Sequence, residues 1–213
     1  MIENYGLRVA LGPHIVITEA SKELLDLLIE KGKQVRTPEH DYTSKLAGRI
    51  EDEFLYENPD EWLPPLFNSH IQNYIGSLPN GRTRDELDTL DTIVWDLDKM
   101  WINYQKAGEY NPPHNHTGDL AFIIYLDIPK EISKEKAQDS SSPGNLIFEY
   151  GERHFQNFLS FNNSCANITP MKGQVIIFPA WLSHHVYSFN SKNVERVSVS
   201  GNIRIQHHHT PFF

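Results

Sequence analysis

The stretch Asn111-Pro-Pro-His-Asn-His116 decides how this chain is expected to fold, together with Phe178-Pro-Ala-Trp-Leu-Ser-His-His185 and Arg196-Val-Ser198 further along. Side chains two residues apart on an extended strand point to the same face. His114 and His116 can therefore present two imidazole nitrogens to one ion. A third ligand must then come from a strand that is distant in sequence, so the pattern predicts a mononuclear metal site between paired β-strands.

The chain from about residue 92 onward consists of short β-rich runs separated by turn residues, which is typical of an antiparallel sandwich or barrel. The predicted strands are Ile93–Gln105, Leu120–Ile128, Asn145–Tyr150, Ala166–Thr169, Gln174–Phe178, His185–Phe189 and Arg196–Gln206. Between two of them, Pro129–Gly144 is polar, and we expect a mobile loop or lid there.

Residues 1–91 are expected to form a mixed helical and strand extension that packs on a core of residues 92–213. The whole chain, at 213 residues, suits one compact domain. The fold class predicted is therefore α+β, mainly β.

Three helices are predicted in the extension. A short strand, His14–Ile17, precedes a leucine-rich helix that begins after an N-cap at Thr18 and ends at Gly32. The spacing of Leu46, Ile50 and Phe54 predicts a second helix over Lys45–Leu55. Apolar residues from Phe67 to Leu78 predict a third.

Composition restricts the partners and the compartment. The net charge of −9 argues against nucleic acid as a bulk partner, because phosphate binding needs a basic face. The longest apolar runs, such as Ala121–Leu126, are too short to cross a membrane. A single cysteine, Cys165, excludes an internal disulfide and is expected to be buried. We expect a cytoplasmic protein, and a tail rather than a metal site at His207–His209.

His184 is the expected third metal ligand, because it directly follows the Phe178–Ser183 turn. His185 would then face the opposite side of its strand. Arg196 and Ser198 are also two residues apart, so both should lie on one face, with Val197 and Val199 on the other. A guanidinium binds a carboxylate through two parallel hydrogen bonds, and a serine hydroxyl adds a third. The pattern indicates a place for an acidic co-substrate beside the metal.

At this point the chain resembles a known family, the iron(II)/2-oxoglutarate-dependent oxygenases of the prolyl-hydroxylase-like kind. The resemblance is closest to a branch common in phages and marine bacteria, and it covers roughly residues 93–206. The matching motifs are Trp101-Ile-Asn103, Asn111–His116, Tyr125-Leu126, Ile128-Pro129, Gly144-Asn-Leu-Ile-Phe148, Pro170, Gly173, Phe178–His184, Val186 and Arg196–Asn202.

The resemblance implies a double-stranded β-helix, or jelly roll, with N-terminal helices packed on one sheet. It implies iron(II) held by His114, His116 and His184, and 2-oxoglutarate chelating that iron through its keto and C1 carboxylate oxygens. The distal carboxylate would meet Arg196 and Ser198.

Three further side chains are pocket candidates. Tyr125 could add a hydrogen bond, although a packed core tyrosine is the alternative, and Asn103 and Asn202 are weaker candidates. The implied reaction hydroxylates a substrate and converts 2-oxoglutarate and O₂ to succinate and CO₂. A host cytoplasm is implied if the chain is phage-encoded.

His116 departs from the wider superfamily, which has Asp or Glu at the second position of this motif. Three neutral ligands leave the metal one unit more positive than the two-histidine, one-carboxylate set does. Asp119, three residues beyond His116, is an alternative ligand or a residue that orients a ligand.

Two other function classes stay open on the sequence alone. A three-histidine cupin-type dioxygenase would take its substrate directly on iron without 2-oxoglutarate. A jelly-roll binding module would bind no metal. The substrate, a small molecule or a peptide, is not specified by the sequence, and a homo-oligomer is left open.

Overall fold

The computed structural model describes residues 12–78, 94–138, 142–151 and 165–206. The His207–His209 tail lies outside these residues. Within them, no helix is long and apolar enough to span a membrane. The strands and helices below are numbered in chain order.

Two antiparallel sheets form the body of the molecule. In the described residues, one sheet has six strands in the order β1-β8-β5-β10-β3-β2, and the other has four in the order β4-β9-β6-β7. The strands are β1 Val16–Glu19, β2 Glu53–Leu55, β3 Val94–Gln105, β4 Asn111–His114, β5 Leu120–Asp127, β6 Leu146–Glu149, β7 Cys165–Ile168, β8 Gln174–Pro179, β9 Ser183–Val186 and β10 Arg196–Gln206.

The central strand β5 lies between two layers, the helices on one side and the four-stranded sheet on the other. Seven of its eight residues are buried, because helices cover one face of the six-stranded sheet and the four-stranded sheet covers the other. Alternate residues feed two cores. Phe122 and Ile124 pack on the helical side, whereas Ala121 and Ile123 pack between the sheets. Two-sided burial therefore explains the unbroken apolar run Ala121–Leu126.

The helices are α1 Lys22–Gln34, α2 Pro59–Trp62, α3 Pro64–Gly76 and α4 Lys130–Gln138. Leu24 and Leu28, one turn apart, bury α1 against the six-stranded sheet. The N-cap of α1 is Ser21, whose hydroxyl accepts the Leu24 N–H, so the expected cap at Thr18 is wrong. Thr18 lies in β1 and hydrogen-bonds His70 instead.

The helix predicted over Lys45–Leu55 is absent from this part of the structure. A short 3₁₀ turn, Thr43–Lys45, is followed by irregular chain and then by β2. Ile50 and Phe54 do not share a helical face: Ile50 lies at the cavity between the sheets, while Phe54 packs on the helical side. The Arg49–Tyr110 bridge ties this segment to the chain just before β4.

The polar segment Pro129–Gly144 was predicted as a loop, and that prediction is wrong for its first part, which forms α4. Ile132 is buried and anchors the helix, and the Glu135 carboxylate accepts the backbone N–H groups of Asn190 and Ser191. Cys165 is half-buried in β7 rather than fully buried. The division of the chain at residue 91 stays a prediction.

Candidate metal centre

Three histidines converge between the two sheets. His114 ends β4 and pairs in register with His184 of β9, and His116 follows β4, with its backbone N–H bonded to the Ala180 carbonyl. Their candidate ligand nitrogens all lie within 4.8 Å of one another. The Nε2 atoms of His116 and His184 are 3.3 Å apart. Two imidazole nitrogens bound at right angles to one ion, each about 2.1 Å away, would be about 3.0 Å apart. The spacing therefore suits a shared metal ion.

Backbone carbonyls fix the tautomers of two of these rings. His114 Nδ1 donates to the Pro112 carbonyl at 2.7 Å, and His184 Nδ1 donates to the Leu182 carbonyl at 3.0 Å. A carbonyl oxygen only accepts, so the proton of each neutral ring is on Nδ1. The Nε2 lone pairs are therefore free to bind a metal, which is the usual arrangement of ligating histidines.

Burial favours the neutral, ligating form of all three rings. It lowers the pKa of His184 to about 3 and that of His116 to about 4, with repulsion from His114 adding to both. The pKa of His114 is also lowered, mainly by burial. At neutral pH the three rings are uncharged, and no proton has to be displaced before a cation binds.

Two nearby residues lie outside the cluster. His185 packs its ring edge-on against Tyr187 and does not join the other three, as the strand alternation predicted. The alternative ligand Asp119 is exposed, and its carboxylate accepts the Ile205 N–H at 2.7 Å. Asp119 therefore ties the start of β5 to the end of β10 and does not reach the cluster.

Arg196 is a buried cation without a carboxylate partner among the residues described. Its side chain is 3% exposed, Nη1 donates to the Gly144 carbonyl, and Nε has no hydrogen-bond partner. Gly144 has φ +68°, a left-handed conformation that favours glycine, and this turns its carbonyl toward the guanidinium. Burial lowers the pKa of Arg196. A buried charge of this kind is costly unless an anion comes to lie beside it.

Neighbouring polar groups face the same space. Val197 and Val199 pack on the helical side, which leaves Arg196, Ser198 and Ser200 on the inner face of β10. Tyr125 is fully buried, and its ring centroid is 5.4 Å from the Arg196 guanidinium carbon. Its hydroxyl has no hydrogen-bond partner in the ranges that the structure describes. Asn103 donates from Nδ2 to the Ser198 carbonyl and the Ser200 hydroxyl.

One cavity joins the histidines to this polar group. It is lined by His114, His116, His184, Arg196, Ser198, Ser200, Asn103, Asn111, Trp101, Ile50, Phe122, Ile123 and Val186. No lining residue is acidic. The open space is about 30 Å³, room for only one or two water molecules. Tyr125 and Asn202 are both buried, but neither is among the residues that line the cavity.

Sequence reasoning missed Ile50, Asn111 and Ser200 as cavity residues. Ser200 could have been found, because it continues the period-two face of Arg196 and Ser198. Ile50 could not, since it reaches the cavity from irregular chain rather than from the helix predicted there.

Residues 99–202 match the family model described as "Putative 2OG-Fe(II) oxygenase". No curated protein sequence matches the chain at a significant level.

Several solved structures are similar to most of the chain. A Pseudomonas putida prolyl-4-hydroxylase has a TM-score of 0.53 at 12% identity, covering 92% of this chain and 94% of that one. A Burkholderia pseudomallei oxidoreductase of the 2OG-Fe(II) oxygenase family has a TM-score of 0.52 at 13% identity, covering 90% and 84%. EctD from S. alaskensis, solved with 2-oxoglutarate and 5-hydroxyectoine, has a TM-score of 0.52 at 12% identity, covering 90% and 72%. At such identities these structures establish the fold alone, and the predicted jelly roll is confirmed.

Proposed function

We propose that the chain is an iron(II)- and 2-oxoglutarate-dependent dioxygenase, because residues 99–202 of its β-sandwich core match the 2OG-Fe(II) oxygenase family model. Its proposed reaction hydroxylates a small-molecule or peptide substrate, consumes O₂, and converts 2-oxoglutarate to succinate and CO₂. When bound, the iron would supply the oxidising chemistry, and the protein supplies binding, orientation and electrostatics.

The donor set fits iron(II). His114, His116 and His184 offer three neutral imidazole nitrogens, and borderline divalent metals accept imidazole well. Two of the rings are held by backbone carbonyls with Nε2 free, so little reorganisation is needed on binding. Three protein ligands leave open positions for a chelating co-substrate and for O₂.

The single observation that carries the proposal is Arg196, a buried guanidinium without an acidic partner in the cavity that holds the three histidines. The Nε–H group of Arg196 can only donate, and the Tyr125 hydroxyl can also donate, so one hydrogen-bond acceptor can satisfy both. A carboxylate fits, with Ser198 beside it on the same face of β10.

The charge balance favours a dianion. A divalent metal on three neutral ligands, together with Arg196, places three positive charges around a cavity whose lining contains no acidic residue. 2-Oxoglutarate carries two negative charges separated by a short carbon chain, so one molecule can offset charge at both ends. Because the open space holds only a water or two, we infer that part of the wall moves outward on binding.

Turnover without a prime substrate tests this proposal. The iron(II)-loaded protein is incubated aerobically with 2-oxoglutarate and ascorbate, which supplies the two electrons that a prime substrate would otherwise give, and succinate is measured by NMR. Wild type is expected to form succinate, and Arg196→Ala is expected to form none. Arg204→Ala is the matched control, because Arg204 lies on the same strand but is exposed and bonded to Asp98. Succinate formation that is equal in Arg196→Ala and wild type would contradict the assignment. Iron binding with no succinate from any variant would favour a three-histidine dioxygenase that does not use 2-oxoglutarate.

A further inference from the structure

A row of four polar residues crosses the inner face of the six-stranded sheet. Ser198 of β10 pairs in register with Tyr125 of β5 on one side and with Asn103 of β3 on the other, and Asn103 pairs with Glu53 of β2. Directly paired residues share a face, with Cβ atoms about 5 Å apart. The row therefore leads from the proposed co-substrate pocket to Glu53 at the sheet edge.

Glu53 is a buried acid that the proposed reaction does not use. It is 1% exposed, and its Oε2 has no hydrogen-bond partner within the described part of the chain. Its neighbour Asn103 is also incompletely satisfied. Asn103 Nδ2 donates to Ser198 and Ser200, which orients the amide. Its buried Oδ1 receives no hydrogen bond from any described residue. An unsatisfied acceptor thus lies beside a carboxyl group that becomes a donor when it carries a proton.

The surroundings of Glu53 keep that proton on. Burial, followed by repulsion from Glu109 and Asp41, raises its pKa to about 8. Nearby cations have other partners: Lys106 pairs with Asp52, and Arg36 pairs with Asp52 and Glu195. On β10, Arg196 pairs in register with Gln105 and so lies two strands from β2. At neutral pH Glu53 is therefore a neutral carboxylic acid.

We propose that Glu53 is a positioning residue of the site: its carboxylic acid donates a hydrogen bond to Asn103 Oδ1 and so holds the Asn103 amide against Ser198 and Ser200. The contact between Glu53 and Asn103 does not depend on the proposed function. Its effect on co-substrate binding does, because only the proposed function places a co-substrate beside Asn103 and Ser198. Ionised Glu53 has no proton to donate and repels the amide oxygen. Raising the pH through the titration of Glu53 releases Asn103 and loosens the wall of the co-substrate pocket.

NMR of the protein without metal or co-substrate tests the Glu53–Asn103 contact directly. The probe is the side-chain amide of Asn103, identified by its absence in Asn103→Ser. Its ¹⁵N and ¹H shifts are expected to move with a midpoint near pH 8 in wild type and to stay constant in Glu53→Gln, which donates at every pH. Glu109→Gln removes a repelling charge and should move the midpoint to lower pH. An Asn103 resonance that does not titrate, or that titrates identically in Glu53→Gln, overturns the proposal.

Affinity for 2-oxoglutarate shows whether the contact matters to the site. In an anaerobic titration, the iron(II)-loaded wild-type protein is expected to bind 2-oxoglutarate at least about fivefold more weakly at pH 9 than at pH 6.5, which corresponds to the loss of one hydrogen bond. The affinity of Glu53→Gln should change less than about twofold over the same pH range. Equal pH dependence in both proteins overturns the role of Glu53. A titrating Asn103 resonance together with no 2-oxoglutarate binding at any pH would refute the proposed function and leave the contact itself established.

Discussion

The substitution Arg196→Met is expected to remove the proposed co-substrate binding without lowering the stability of the folded protein. Arg196 is 3% exposed and has no acidic partner among the described residues, so in the protein without co-substrate it is a desolvated charge. Replacing buried charged groups by apolar residues of similar volume often stabilises a protein by about 1–4 kcal/mol. The substitution also removes the bond to the Gly144 carbonyl, worth about 1 kcal/mol. We expect the metal-free variant to be at least as stable as wild type, by a margin of about 0–3 kcal/mol.

The same change should remove co-substrate binding. A bidentate guanidinium–carboxylate pair comprises two charge-assisted hydrogen bonds of about 1.5 kcal/mol or more each, so affinity should fall at least about 100-fold. Stability is measured by urea denaturation of metal-free protein, and affinity by anaerobic 2-oxoglutarate titration. Arg204→Met is the control, since Arg204 makes an exposed pair whose loss changes stability by less than about 1 kcal/mol. An Arg196→Met protein that is several kcal/mol less stable, yet binds 2-oxoglutarate normally, would refute the reasoning.

Three further predictions concern single residues. His184→Ala should abolish iron(II) binding measured by calorimetry, whereas His185→Ala, whose ring packs against Tyr187, should bind iron as wild type does. Because folding raises the pKa of Glu53 from 4.5 to about 8, wild type should lose stability relative to Glu53→Gln as pH rises across that window. The loss should be on the order of 5 kcal/mol by urea denaturation, and parallel curves would contradict it. Gly144→Ala, at φ +68° and with its Cβ placed 3.2 Å from Ile132, should cost about 1–2 kcal/mol by the same assay, whereas unchanged stability would argue against strain there.

The cluster of three histidines and the inner face of β10 were predictable because each depends on the period-two alternation of strand side chains. The alternation of strand side chains places Arg196 and Ser198 together, and it separates His184 from His185. That β4 and β9 are neighbours was implied by the chemistry, since His114 and His184 serve one ion only if their strands pair. The residues outside such patterns were the ones that the sequence did not reveal.

The errors have physical causes. Leu46, Ile50 and Phe54 have helical spacing, yet tertiary contacts with β3 and with Tyr110 place them in irregular chain and in β2. Helix α4 was missed because it is mostly polar; buried Ile132 and the Glu135 carboxylate hold it in place. Glu53 shows no signal at all: it is a single acid on a three-residue strand, and only the pairing of β2 with β3 brings it beside the site.

The most direct measurement is the visible absorption of the protein titrated anaerobically, first with iron(II) and then with 2-oxoglutarate. A metal-to-ligand charge-transfer band that appears only when both are present, and that is lost in His114→Ala and in Arg196→Met at matched concentrations, is the predicted result. A spectrum that stays unchanged when 2-oxoglutarate is added to the iron-loaded wild-type protein would contradict the claim that the three histidines and Arg196 form one site.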